Sequence, residues 1–90
     1  MRDVQQIVNR IDEILKNEQN QSLDMIGSYV VGETIVQDDY EEIQGTYPLL
    51  EKVAELGAEL ETLKDSKYSS AVYDDMIDTF NQLKRELSKT

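Results

Sequence analysis

Apolar residues recur three and four positions apart in three separate stretches of this chain, a period that commits most of it to helices packed along one face. Val4, Ile7, Val8, Ile11, Ile14 and Leu15 share one side of a helix predicted over roughly 3–18. Asp3 and Gln6 have the spacing of a capping box, and the polar run from Asn17 to Gln21 suits a loop. Leu49, Val53, Leu56, Leu60 and Leu63 step by four and three like a coiled-coil seam, and Pro48 stands where that helix begins. Tyr73, Met76, Phe80, Leu83 and Leu87 repeat the period in a last helix. Ser69 or Ser70 is its expected N-cap, Asp74 and Asp75 lie in its first turns, and Lys84, Arg85 and Lys89 offset the dipole at its end. The short connection from Asp65 to Ser69 makes these two helices an antiparallel hairpin.

The stretch from Ser22 to Gln44 admits two readings. As a helix capped by Ser22 it carries Leu23, Ile26, Tyr29, Val36, Tyr40 and Ile43, with a break at Gly32 and Glu33. As a β-hairpin over 29–36 it would use the β-branched residues around that Gly-Glu pair, although a lone hairpin needs helices to rest on. The longer pattern favours the helix, with Gly27 and Gly32 permitting a close neighbour or a kink, and Gly45 ending it. The fold class expected is therefore all-α: a small up-and-down antiparallel bundle of about four helices, with helices plus the 29–36 hairpin as the alternative.

At 90 residues the chain has enough surface for one core, so 1–90 is expected to be a single helical domain. It has no cysteine, which leaves the fold to packing and removes thiolate chemistry. It has no histidine either, the usual base and metal ligand at neutral pH. No motif sets a nucleophile beside a base, so the expectation is a protein without enzymatic activity, cofactor or metal. The acidic run Asp38, Asp39, Glu41, Glu42 lacks the alternate spacing and bend glycine of a calcium loop. No apolar run resembles a signal core or a spanning helix, and the expected location is cytoplasmic.

Net charge is -10, which disfavours nucleic acid and anionic membrane as partners. The excess is concentrated: residues 38–63 hold one basic and eight acidic groups, whereas residues 64–90 hold five of each. Glu51, Glu55 and Glu59 fall at i, i+4 and i+8, a stripe of like charge that costs an isolated helix a few tenths of a kcal/mol per pair. Solvent and salt can offset that cost, as can a basic partner. With Asp38, Asp39, Glu41 and Glu42 the stripe would form one negative patch across the turn before Pro48. Such a patch would steer a basic protein surface. Tyrosine is common at binding hot spots. Tyr29, Tyr40 and Tyr73 fall on apolar stripes and read as core; Tyr47 and Tyr68 fall at connections at opposite ends, and Tyr47, beside the acidic run, is the candidate contact. The expected binding residues are thus Asp38, Asp39, Glu41, Glu42, Tyr47, Glu51, Glu55 and Glu59, in an inhibitor, immunity protein, phage-encoded antagonist or adaptor. The alternative is a self-associating structural or secretion-associated protein whose last two helices pair their seams between chains as a homodimer.

Two short likenesses accompany these readings. Ser22-Leu23-Asp24-Met25 resembles the helix-opening serine motif of acyl carrier proteins, acidic helical domains whose serine carries phosphopantetheine; Gln21 stands where that family has aspartate, and the preceding loop is shorter here. In size, charge and expected architecture the chain is also similar to the acidic four-helix immunity proteins that neutralise nuclease bacteriocins. Of their tyrosine-rich binding motif it has Tyr47-Pro48 alone.

Overall fold

The apolar periods become four helices: α1 (Val4–Lys16), α2 (Leu23–Tyr29), α3 (Pro48–Leu63) and α4 (Ser69–Ser88). The computed structural model describes residues 4–17, 22–31, 47–64 and 66–89, and among these there is no strand. The six apolar residues of α1 are all buried, as their single face requires. Pro48 opens α3, where its missing N–H costs no hydrogen bond, and Lys64 closes it in the left-handed conformation at φ 43° and ψ 66°.

Residues 29–31 are helical, with Val30 in the right-handed region and a wider turn at 30–31, so the hairpin alternative is excluded where it would start. The rest of the 22–44 helix, Gly45 and the Asp3 capping box lie outside the described residues.

Of the two expected N-caps, Ser22 holds its position without a side-chain cap bond and Ser69 does not hold its position. Ser22 is extended at the N-cap of α2 and its hydroxyl makes no capping bond; its carbonyl accepts from Ile26 N–H instead. At α4 the N-cap is Tyr68, and Ser69 is already helical and 3% exposed. The turn is closed upstream, where Ser66 accepts Tyr68 N–H on its Oγ at 3.2 Å and Ser69 N–H on its carbonyl at 2.9 Å.

One core joins all four helices: Ile7 and Ile11 from α1, Ile26 from α2 and Val30 just after it, Leu50, Val53 and Leu60 from α3, Met76 and Phe80 from α4. Each such side chain gains about 1.5–3 kcal/mol by leaving water. The buried face of α3 is rotated from the expected seam: Leu50, Val53, Ala54, Gly57 and Leu60 are buried, while Leu49, Leu56 and Leu63 are half-buried. The cause is a second neighbour. A Cβ built on Gly57 would meet Val31 Cγ2 at 3.2 Å and Val30 Cγ1 at 3.3 Å, so α2 lies over the small residues of α3.

That contact also fixes direction. Gly27 faces Leu60 and Glu61, whereas Val30 and Val31 face Gly57, so α2 and α3 run antiparallel. The grooves between α1 and α4 put Gln5 and Val8 with Leu87 and Ser88, and Leu15 and Lys16 with Tyr73 and Ile77, so this pair is antiparallel as well. With the α3–α4 hairpin, the order is up-down-up-down. The seams of α3 and α4 therefore pair within the chain, and Val53, Leu60, Met76, Phe80 and Leu83 are spent on its own core.

Candidate functional site

The solvent-facing side of α3 follows from its buried side: with Val53, Gly57 and Leu60 inward, Glu55 and Glu59 point to water. Both are exposed, and neither has an ion pair among the described residues. Glu51, one turn earlier, is half-buried, lies in the first turn where a carboxylate favours the helix dipole, and donates its backbone N–H to Tyr47 carbonyl at 3.0 Å. Tyr47, the N-cap, is half-buried and packs against the core. Asp38, Asp39, Glu41 and Glu42 lie outside the described residues. Of the expected stripe, Glu55 and Glu59 present free carboxylates, and Glu51 and Tyr47 lie at the margin.

The hairpin adds carboxylates that the charge count hid. Asp74, Asp75 and Asp78 are exposed on the first half of α4 and have no ion pair among the described residues. Because α4 runs back along α3, that half lies level with Glu55, Glu59 and exposed Glu61, with Asp74 on the side of α4 that lines the groove with Leu15, Lys16 and Lys84. Their charge vanished in the sum over 64–90 because Lys64 and Lys67 precede them at the turn and Lys84, Arg85 and the C-cap Lys89 follow more than a turn away. The signal was present in the sequence, as Asp74 and Asp78 are four apart on a helix already expected to fold back.

The carboxylates of α1 behave differently. Asp12 takes Lys16 at 2.9 Å and Lys84 of α4 at 3.3 Å, and Glu13 pairs with Arg10 at 3.3 Å. The hydrogen bond from Lys16 is the main cause that holds the Asp12 carboxyl below the ordinary carboxylate range; partial burial opposes it and Lys84 adds to it. Lys16 is raised in return, chiefly by its bond to Asp12. Lys84 also lies 5.0 Å over the Phe80 ring, which fixes the bridge against the core. Asp12 and Glu13 of α1 are thus paired, whereas Glu55, Glu59, Asp75 and Asp78 on the α3–α4 hairpin are exposed without an ion pair among the described residues, with exposed Lys64 and Lys67 at its turn.

The two tyrosines at connections divide otherwise than their sequence neighbours suggest. Tyr68 is 60% exposed, with Lys67 Nζ 5.1 Å from its ring centre, while Tyr47 is half-buried. Tyr29 and Tyr73 are half-buried against the core. Ser22 is half-buried at the start of a seven-residue helix. Among the described residues no group of three or more Asp, Glu, His or Cys side chains could hold a metal ion, and no helix is long and apolar enough to cross a membrane.

No family model matches this chain, and comparison with curated proteins and with solved structures gave no match.

Proposed function

We propose that this chain is a small acidic protein without enzymatic activity that docks a basic surface of another protein, as an inhibitor, immunity protein, phage-encoded antagonist or adaptor does. The observation that carries the reading is the set of carboxylates along the hairpin, Glu55 and Glu59 on α3 and Asp75 and Asp78 on α4, which are exposed without an ion pair among the described residues, with Lys64 and Lys67 confined to the turn at its end. Like charges gathered on one part of a rigid helical pair raise the local potential, speed encounter with a basic partner and repel acidic competitors. Glu51 and Tyr47 sit at the edge of this surface, and Asp38, Asp39, Glu41 and Glu42 would extend it past Pro48. The charge gives on-rate and selectivity; affinity comes from whatever the partner packs beside it.

The test is capture of the tagged chain's partner from lysate of its own organism, eluted with rising salt. A basic protein leaving at moderate salt supports the reading, since exposed pairs weaken as the Debye length falls below about 8 Å. Recovery of acidic or neutral proteins alone, indifferent to salt, contradicts it.

A further inference from the structure

We draw no further inference here: the strongest candidate, the surface groove between α1 and α4 lined by Leu15 and Ile77 together with Asp12, Lys16, Asp74 and Lys84, carries nothing because both of its lysines are already held by Asp12, its charges cancel, and nothing in the structure shows what covers it.

Discussion

Gly27 in α2 and Gly57 in α3 face each other at the crossing of their helices so closely that a Cβ on Gly27 would collide with the Gly57 carbonyl oxygen. The same Cβ would lie 2.9 Å from Glu61 N and 3.1 Å from Leu60 Cβ, so two of its three nearest neighbours are backbone and cannot swing away. Gly27→Ala should therefore lower stability by about 2 kcal/mol, the overpacking penalty less the modest helix-propensity gain of alanine. Gly57→Ala meets valine methyl groups at 3.2 and 3.3 Å instead, and should stay within about 1 kcal/mol of the parent. Urea unfolding of both variants checks the order; equal losses would mean that α2 does not cross α3 at this point.

Asp12 ties α1 to α4 through Lys84 and to its own helix through Lys16. Its folded carboxyl pKa is lowered, first by the Lys16 bond, so its contribution to stability is complete above the unfolded value of about 4 and drains as pH falls through the lowered one. At neutral pH Asp12→Asn should cost about 0.5–1 kcal/mol, the range for exposed and partly exposed pairs. The difference between the two proteins should close as acid protonates Asp12. Lys16 has the opposite sense: its pKa is raised, so its share is present below the ordinary lysine value and lost as pH climbs through the raised one. Thermal melts of parent and variant across the pH range read both; a gap that persists in acid would detach Asp12 from the bridge.

Ser69 is 3% exposed and its Oγ has no hydrogen-bond partner among the described residues, although Thr79 on the same helix bonds the Asp75 carbonyl at 2.8 Å. A buried hydroxyl without a partner costs about 1–3 kcal/mol of desolvation. Ser69→Ala should be neutral or raise stability by up to about 1 kcal/mol, since alanine is also the better helix former. A loss of more than about 1 kcal/mol would show that the hydroxyl is bonded in solution.

The helices of strong period were legible in the sequence, and for a physical reason: α1 spans Val4–Lys16 against an expected 3–18 because all six of its apolar residues face one way. The exact face of α3 was not legible. A seam read from Leu49, Leu56 and Leu63 assumes one neighbour, but Ala54 and Gly57 are small enough to admit α2 as a second, and that contact turns the helix. The caps were legible in part: Ser22 holds the N-cap of α2 with extended backbone but its hydroxyl makes no cap bond, and Ser69 falls one residue inside α4. In the acidic surface, the α3 carboxylates were visible as a stripe, whereas Asp74, Asp75 and Asp78 cancelled in a sum that pooled them with Lys64 and Lys67 at the turn and with Lys84, Arg85 and Lys89 at the far end of α4. Tyrosine exposure depends on the packing of each connection, so proximity to charge in the sequence did not separate Tyr47 from Tyr68.

The docking proposal is tested most directly by capturing proteins from the same lysate with two baits, the parent chain and Glu55→Lys with Glu59→Lys, and comparing recoveries by isotope-labelled mass spectrometry. Both positions are exposed, so the variant should keep its helical circular dichroism. The expected result is a basic protein recovered with the parent and reduced by about ten-fold or more with the variant at low salt, because attraction has become repulsion at the surface it meets. Equal recovery of that protein with both baits would contradict docking through this face of α3.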